Sequence, residues 1–356
     1  MFCLQRMTCS WKQAVRPAGA YLTGQKFAMS TKGNRPKVYI TRPDVDEIGI
    51  NMLKDECDVT TWTEPYPVPR DELLKNVPGK DALFCALTDK IDSELLDLAG
   101  PQLKVVSTIS VGFDHIDLAE CKKRGIRIGN TPDVLTDATA ELTMALLLAT
   151  NRRLFEANKE VYNGGWKNWS PGSGWLCGYG LKGSTVGIYG FGRIGEEVAK
   201  RVVPFKPATI LYNSRTEKKE AAAIGAKYAK FEDLVKKSDV IIICTALTKD
   251  TELKFNRDVF GMMKKNAIFI NTARGGIVDQ KALYEALKNK TIYAAGLDVA
   301  TPEPLPLDDP LLTLPNCVIV PHIGSAEINT RIEMSRITAC NILKGLKGEE
   351  LLAEVK

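Results

Sequence analysis

The chain has 356 residues, 44% of them hydrophobic and 26% charged, which is typical of a water-soluble globular protein with two domains. Six of its 48 basic residues and none of its 43 acidic residues lie in residues 1–35, so residues 36–356 carry 42 basic and 43 acidic side chains. This near-neutral body offers no basic surface for a nucleic acid, and no apolar run approaches the ~20 residues of a membrane-spanning helix. We therefore expect neither a nucleic acid nor a membrane among the partners.

Residues 1–35 form a leader that has basic, Ser and Thr residues and no acid, which is the composition of an organelle transit peptide. The leader predicts a mitochondrial location. The alternatives are a disordered tail, or upstream sequence bypassed by a start at Met7 or Met29, and both leave a cytoplasmic protein. The nine cysteines are odd in number and form no C-x-x-C pair, so we expect neither a disulfide framework nor a metal site.

From residue 36 onwards, short apolar runs alternate with charged helical segments, as in parallel sheets covered by helices. The first series of predicted strands comprises residues 37–41, 82–86, 103–107 and 126–128. The second series, rich in Val and Ile, comprises residues 185–189, 209–212, 240–244, 267–271, 295–299 and 318–320. Such runs suit strands that are buried on both faces. The predicted fold class is therefore α/β, with two sheets.

A long helix is predicted between the two series, over residues 136–153. Thr136 or Asp137 can cap its N-terminus, and Glu141 lies in the first turn, where it favours the helix dipole. Residues 142–149 are apolar nearly all round, so this part of the helix should be buried on several sides. The two domains can bury it alone, or a second subunit can cover part of it. We expect the latter, in a homodimer.

A G-x-G-x-x-G pattern, formed by Gly190, Gly192 and Gly195, follows a predicted strand and opens a helix. In a dinucleotide-binding turn the first glycine makes the turn and the second admits the pyrophosphate, while the third lets the helix pack closely on the strand. The helix N-terminus offers free N–H groups and a positive dipole end to the phosphates. The pattern predicts an NAD(P)-binding turn that includes Arg193 and Ile194.

The end of the next strand lacks the acid that an NAD-specific site would place about 20 residues after the glycines. In its place stand Asn213, Ser214 and Arg215, with Lys218 and Lys219 close by. A guanidinium and hydroxyl groups suit a 2′-phosphate, which a carboxylate would repel. We therefore predict NADP(H) as the preferred cofactor and NAD(H) as a weaker one. The alternative is a polar loop that accepts either cofactor.

Arg274, Glu303 and His322 each follow a predicted strand, at the edge where open parallel sheets bind their ligands. A hydride reductase of a 2-oxo acid has to anchor a carboxylate, polarise a carbonyl and deliver a proton. Arginine serves the first two purposes through a bidentate fork, and histidine serves the third. A neighbouring carboxylate keeps the imidazole protonated. Taken singly, Glu303 is also compatible with a solvated loop acid and Arg274 with a surface ion pair.

With these residues in place, the sequence resembles the D-2-hydroxyacid dehydrogenase family. The resemblance covers about residues 36–356 and lies in the glycine turn and in the motifs NTARGGIVD, GLDVATPEPLP and PHIGS. The motifs SVGFDHID, TPDVLTDATAEL, GGWKNW and WLCGYGL are similar to those of its glyoxylate reductase/hydroxypyruvate reductase branch. The resemblance implies NADPH-dependent reduction of glyoxylate and hydroxypyruvate to glycolate and D-glycerate.

The resemblance also implies roles for single residues. His322 would be the proton donor, Glu303 its partner and Arg274 the substrate anchor, while His115 would have a structural role. Asp298 would hold the nicotinamide carboxamide. Beyond the glycine turn, the predicted cofactor-binding residues are Ser214, Arg215, Thr216, Ala246, Thr272, Asp298 and Gly324.

The substrate pocket implied by the resemblance uses backbone as well as side chains. The N–H groups of Val111 and Gly112 would take the carboxylate of a small 2-oxo or 2-hydroxy acid, with Ser325 beside it. The partner subunit's Trp169 would close the pocket. Residues 169–175 are about two residues longer and richer in glycine than the pattern of this branch, which affects the reach of that tryptophan.

The family fold implies a cofactor domain inserted into the substrate domain. Residues 36–133 and 322–356 would form a flavodoxin-like substrate-binding domain, and residues 134–321 a doubly wound NAD(P)-binding domain. Both are Rossmann-like, and the two chain crossings would form the hinge of a cleft between them. Two alternatives stay open: another member of the family, of phosphoglycerate or D-lactate type, and a dinucleotide-sensing binding protein similar to the corepressors of this fold.

Overall fold

The structure, a computed structural model, describes residues 35–170 and 172–355. Residues 1–34 of the predicted transit peptide therefore lie outside the described residues. Two parallel sheets organise the described chain, and each sheet has one apolar cluster on either face. The predicted α/β fold class with two sheets is confirmed.

The first sheet has the strand order β2-β1-β3-β4-β5, which is the flavodoxin-like order predicted for the substrate domain. Its strands are β1 (Lys37–Ile40), β2 (Asp58–Thr61), β3 (Ala82–Cys85), β4 (Val105–Thr108) and β5 (Arg127–Gly129). The helices between them are α1 (Glu47–Glu56), α2 (Arg70–Asn76), α3 (Ser93–Ala99) and α4 (Leu118–Lys123). Sequence patterns missed β2, because this short edge strand has no buried residue and only one apolar one.

Two helices, α5 (Thr136–Asn151) and α6 (Leu154–Tyr162), lead to the second sheet. Its strands are β6 (Thr185–Tyr189), β7 (Thr209–Asn213), β8 (Ala226–Tyr228), β9 (Val240–Ile243), β10 (Ile268–Asn271), β11 (Ala294–Leu297) and β12 (Cys317–Ile319). The remaining helices are α7 (Arg193–Val202), α8 (Lys219–Ile224), α9 (Phe231–Lys237), α10 (Arg257–Met262), α11 (Gln280–Lys288) and α12 (Ile328–Leu346). The order β12-β11-β10-β9-β6-β7-β8 is that of a doubly wound dinucleotide-binding sheet with a seventh strand at one edge.

The N-terminus of α5 corrects one prediction, because neither Thr136 nor Asp137 caps the helix. The cap position is Leu135, which makes no side-chain cap bond. The Thr136 N–H instead donates to the Asp133 carbonyl, and the Asp137 carboxylate pairs with Arg201 of α7. The helix therefore begins one residue earlier than a Thr136 cap requires.

The last helix, α12, brings the chain back to the first sheet. Its residues Ala339 and Ile342 belong to the apolar cluster that contains Val38 and Ile40 of β1. The interrupted domain predicted from the sequence requires this path, although its boundary residues stay predictions. Among the helices that the structure describes, none combines the length and apolar character needed to cross a bilayer.

Candidate active site

Arg274, Glu303 and His322 come together at one edge of the second sheet. They follow β10, β11 and β12, which are neighbours in that sheet and run parallel. Parallel strands end at the same edge, so the loops after them share one region. The sequence therefore predicted the right region for these three side chains.

The imidazole of His322 is hydrogen-bonded to the Glu303 carboxylate. The Nδ1–Oε2 distance is 2.7 Å, and an ionised carboxylate only accepts, so Nδ1–H donates. The other ring nitrogen, Nε2, has no hydrogen-bond partner among the described residues. An imidazole held through Nδ1 in this way directs Nε2 outward as the group available for proton transfer.

The Glu303 carboxylate is held in its charged form. Burial alone would raise its pKa, but the hydrogen bond and charge of His322, the Ala300 N–H and the charge of Arg274 together lower it. The Ala300 N–H donates to Oε1 over 2.9 Å, so Oε2 is left for His322. Glu303 is therefore ionised throughout the neutral pH range, and His322 faces a full negative charge.

Asp298, at the end of β11, shapes the turn that carries His322. Its two carboxylate oxygens accept the N–H groups of Ile323 at 2.7 Å and Gly324 at 2.8 Å. Its carbonyl accepts the N–H of His322, whose backbone is left-handed with φ 52°. Burial raises the pKa of Asp298 to about 6. The sequence predicted a cofactor role for Asp298 and missed this structural one.

The turn that carries Arg274 is shaped by Asn271, the last residue of β10. The Asn271 side chain accepts the Ala273 N–H at 3.0 Å and donates to the Arg274 carbonyl at 2.9 Å. Next to Arg274, a Cβ on Gly275 would lie 2.0 Å from the Ala300 carbonyl oxygen. Only glycine therefore lets this turn approach the loop that carries Glu303. An asparagine at a strand end is a sequence signal that could have identified the turn.

The guanidinium of Arg274 reaches the loop after β4, where the predicted carboxylate-binding residues lie. A Cβ on Gly112 would be 1.6 Å from Arg274 Nη2, so the guanidinium lies directly against this glycine. The carbonyl of Val111 accepts from Asn130 Nδ2 at 2.9 Å, and that of Gly112 accepts from Ser110 Oγ at 2.6 Å. The N–H groups of residues 111 and 112 have no acceptor among the described residues and can bind an anion.

His115, the second histidine, lies in the same loop after β4, but its ring nitrogens are buried. Neither nitrogen has a hydrogen-bond partner among the described residues. Burial lowers its pKa to about 4; the charge of Asp114 opposes this shift, and the charge of Arg274 adds to it. The ring is therefore neutral at physiological pH and carries no proton to donate as an imidazolium. This geometry favours the predicted structural role.

The glycine turn after β6 has the geometry that a bound dinucleotide requires. Gly190 has φ 98°, and a Cβ on Gly195 would lie 2.2 Å from the Gly190 carbonyl oxygen. A Cβ on Gly192 would have nothing within 4 Å, so the space above this residue is open. The N–H groups of residues 193–195, at the start of α7, have no acceptor among the described residues. Free donors beside open space fit a pyrophosphate.

The other predicted cofactor residues lie in loops at the same edge. Ser214, Arg215 and Thr216 follow β7, and the Ser214 hydroxyl donates to the Thr216 carbonyl at 2.6 Å. Arg215 is exposed at this strand end. Ala246 follows β9, and Thr272 follows β10 with its hydroxyl 2.7 Å from that of Thr143.

Ser325 and Trp169 are the remaining residues predicted to lie at the substrate pocket. The Ser325 carbonyl accepts from Arg331 Nε at 2.9 Å, which ties the turn after His322 to α12. Trp169 follows a 3₁₀ turn over Gly165–Asn168 and is 58% exposed. Within the described chain, no hydrogen bond or ring contact joins its indole to the site, which leaves its predicted role to a second subunit.

Comparison with known proteins identifies the family. A family model described as "D-isomer specific 2-hydroxyacid dehydrogenase, NAD binding domain" matches residues 144–324, which include the glycine turn and all three residues at the sheet edge. The chain belongs to this family. The D-2-hydroxyacid dehydrogenase resemblance seen in the motifs is thus confirmed, and the protein is an oxidoreductase that uses a nicotinamide dinucleotide.

Several members of this dehydrogenase family are similar over nearly their whole length. The glyoxylate reductase/hydroxypyruvate reductase of Homo sapiens is 51% identical over 323 residues, which cover 90% of this chain and 98% of that protein. The glyoxylate reductase of Thermofilum pendens is 47% identical over 318 residues, covering 88% of this chain and 93% of the relative.

Solved structures of other proteins share the fold of this chain. The TT0316 protein of Thermus thermophilus has a TM-score of 0.82 at 42% identity, covering 90% of this chain and 100% of that one. An NADPH-dependent glyoxylate/hydroxypyruvate reductase of Sinorhizobium meliloti, in complex with NADP and malonate, has a TM-score of 0.79 at 31% identity. It covers 90% of this chain and 97% of that one.

Proposed function

We propose that this protein reduces glyoxylate and hydroxypyruvate to glycolate and D-glycerate, with NADPH as the preferred cofactor. The observation that carries the proposal is the pairing of His322 with Glu303 at 2.7 Å, with Arg274 at the same sheet edge. Together they provide a proton donor, its charged partner and a substrate anchor. The names of the human and archaeal relatives support the choice of substrates.

In this proposal the substrate carboxylate binds the free N–H groups of Val111 and Gly112 and the Nη2 of Arg274. The Arg274 charge polarises the carbonyl and stabilises the negative charge that develops on its oxygen. His322 then delivers its proton from Nε2 to that oxygen, while Glu303 stabilises the imidazolium beforehand. When bound, the reduced nicotinamide supplies the hydride that C2 of the substrate accepts.

The chain's own residues would hold the cofactor along one edge of the second sheet. The N–H groups at the start of α7 would bind the pyrophosphate, and Asp298 would accept from the carboxamide while it holds Ile323 and Gly324. Ser214 and Arg215 would bind the 2′-phosphate of NADPH. The exposed Arg215 guanidinium and the absence of a carboxylate over residues 213–216 support this preference.

Steady-state assays that follow NADPH oxidation with glyoxylate, hydroxypyruvate and pyruvate test the proposal. We expect turnover with the first two acids and a KM for NADPH at least about tenfold below that for NADH. Equal KM values would remove the cofactor preference. Turnover with pyruvate alone would indicate a dehydrogenase of the lactate type, and cofactor binding without any turnover would indicate a dinucleotide-sensing binding protein.

Glu303→Gln should move the pH dependence of reduction to lower pH. Reduction needs a protonated His322, so kcat/KM should fall at high pH. Because Glu303 is ionised at neutral pH, the substitution removes a full negative charge that stabilises the protonated ring, so kcat/KM should begin to fall at a lower pH. The measurement is a pH profile of kcat/KM for glyoxylate.

The matched control is Asp308→Asn, which removes one negative charge from an exposed position of the same loop. Its pH profile should coincide with that of the wild type, because water and salt screen an exposed charge. A Glu303→Gln profile that also coincides with the wild type would show that the carboxylate does not act on the imidazole.

A homodimer completes the proposed site. Helix α6 has no buried residue, and six large apolar side chains of residues 154–169 are at least half-exposed: Leu154, Phe155, Val161, Tyr162, Trp166 and Trp169. So many exposed large apolar side chains in one short segment indicate a protein–protein contact. The partner subunit's Trp169 would reach the pocket from such a contact. Sedimentation equilibrium should give twice the chain mass of 39.2 kDa, and a single-chain mass would contradict the dimer.

The proposal also includes the domain division predicted from the sequence. Residues 36–133 and 322–356 would bind the substrate, and residues 134–321 would bind the cofactor, with the site in the cleft between them. The return of α12 to the first sheet supports this division. Residues 1–35 would determine whether the protein is mitochondrial or cytoplasmic.

A further inference from the structure

The guanidinium of Arg274 is already held by two protein groups. Its Nε donates to Asp114 Oδ1 at 3.0 Å, and its Nη1 donates to the Ala273 carbonyl at 2.8 Å. The third nitrogen, Nη2, has no acceptor among the described residues and lies against Gly112. The sequence led us to expect two guanidinium nitrogens free to bind a carboxylate. The structure leaves only Nη2 without a protein acceptor among the described residues, and Nη2 faces the loop that has free N–H groups.

Asp114 and Arg274 come from different parts of the fold. Asp114 lies in the loop after β4 of the first sheet, and Arg274 lies in the loop after β10 of the second sheet. The Arg274 side chain is 21% exposed and that of Asp114 is 36% exposed, so the ion pair is only partly screened by water. Their contact links the loop with free N–H groups to the loop that carries the proposed anchor.

We propose that Asp114 is a positioning residue that orients Arg274 for the substrate carboxylate. This inference rests on the proposed role of Arg274 as the substrate anchor. An unrestrained arginine has many rotamers, and ordering them on binding would weaken affinity for a small substrate. Asp114 fixes the guanidinium beforehand, so that Nη2 and the N–H groups of Val111 and Gly112 converge on one carboxylate.

The charges around Asp114 also allow a competing interpretation. Asp114 Oδ1 would lie 3.0 Å from a Cβ on Gly112, so its negative charge is close to the carboxylate that we place there. If repulsion dominated, removal of Asp114 would tighten substrate binding. We expect the opposite, because the charge-assisted bond to Nε pairs Asp114 with Arg274 and the backbone donors remain available to the substrate. The two effects differ in the sign of the change in KM.

Kinetic constants of three variants test the proposal. Asp114→Ala should raise the KM for glyoxylate about tenfold, with little change in the KM for NADPH. Asp114→Asn should recover most of the loss, because its amide oxygen can still accept from Nε. Asp117→Ala is the matched control: Asp117 lies in the same loop and caps α4 by accepting the Glu120 N–H at 3.0 Å. This control should lower the melting temperature without changing either KM.

The same substitutions in an Arg274→Ala background show whether Asp114 acts through Arg274. In that background Asp114→Ala should have no further effect on the KM for glyoxylate. An unchanged or lower KM in the single Asp114→Ala variant would overturn the proposal. A tenfold rise that persists without Arg274 would overturn it as well.

Calorimetric binding of oxamate, a non-reducible 2-oxo acid analogue, separates this inference from the proposed function. The wild type loaded with NADP should bind oxamate, and Asp114→Ala should weaken that binding about tenfold. If the wild type binds oxamate in this way but reduces no 2-oxo acid, the proposed function fails and the positioning role stands. Absence of oxamate binding to the wild type, or equal affinity in Asp114→Ala, would overturn the positioning role.

Discussion

Replacing His322 with alanine should lower kcat for glyoxylate reduction by about 10²–10⁴-fold, which corresponds to a barrier roughly 3–5 kcal/mol higher. The variant has no group that can protonate the substrate oxygen, and Glu303 is left beside it as an unpaired charge. The cofactor turn after β6 is untouched, so the dissociation constant of NADPH should stay within about twofold of the wild type. Steady-state kinetics and NADPH fluorescence titration measure the two effects.

His322→Asn is the companion variant for this experiment. His322 has φ 52°, a left-handed backbone conformation that Asn adopts more readily than Ala. Loss of turnover in His322→Asn would therefore come from the missing proton donor rather than from a distorted turn. His115→Phe is the control, because the buried His115 ring makes no hydrogen bond among the described residues. Unchanged kcat in both His322 variants would refute the proton-donor role.

Arg274→Ala should raise the KM for glyoxylate by about 10–100-fold and lower kcat to a smaller extent. The variant loses the nitrogen that faces Gly112 and the positive charge that polarises the carbonyl. Arg274→Lys should stay closer to Ala than to the wild type, because one ammonium group cannot keep Asp114 and the Ala273 carbonyl and still serve the substrate. The KM for NADPH should not change.

Arg257→Ala, at the exposed start of α10, controls for the loss of a positive charge from the same part of the chain. It should leave both KM values unchanged. If Arg274→Ala had a wild-type KM for glyoxylate and a lower kcat only, Arg274 would stabilise the transition state alone and another group would anchor the substrate.

Most strands of the second sheet could be predicted because burial on both faces leaves a strong sequence signal. Val240–Ile243 is fully buried and was apparent from its apolar run alone. Strands β2 and β8 were missed because each is a short edge strand that includes exposed residues. A strand that is covered on few sides needs few apolar residues, and its pattern resembles that of a loop.

The sequence offered the candidate residues and the pairing of Glu303 with His322, but it did not indicate the other contacts at this edge. The bond between Asp114 and Arg274 joins positions 160 residues apart, and its existence depends on how the two sheets pack. The left-handed backbone of His322 carries no signal either, because the position holds neither Gly nor Asn. Asp298 shows the same limit, since its hydrogen bonds to Ile323 and Gly324 span 25 and 26 residues.

At Asp298, the stability of the fold and the proposed function make opposite demands on the carboxylate. Its pKa is raised to about 6 by burial, so above this pH the folded chain keeps an anion that water would solvate better. Because the carboxylate binds its proton more tightly in the folded state, ionised Asp298 lowers the free energy of unfolding. This destabilisation is complete above about pH 6 and decreases as the pH falls towards the usual pKa of an aspartate. The carboxylate is kept where it holds the turn of the proposed proton donor, so a stabilised version of this protein should not be sought at Asp298.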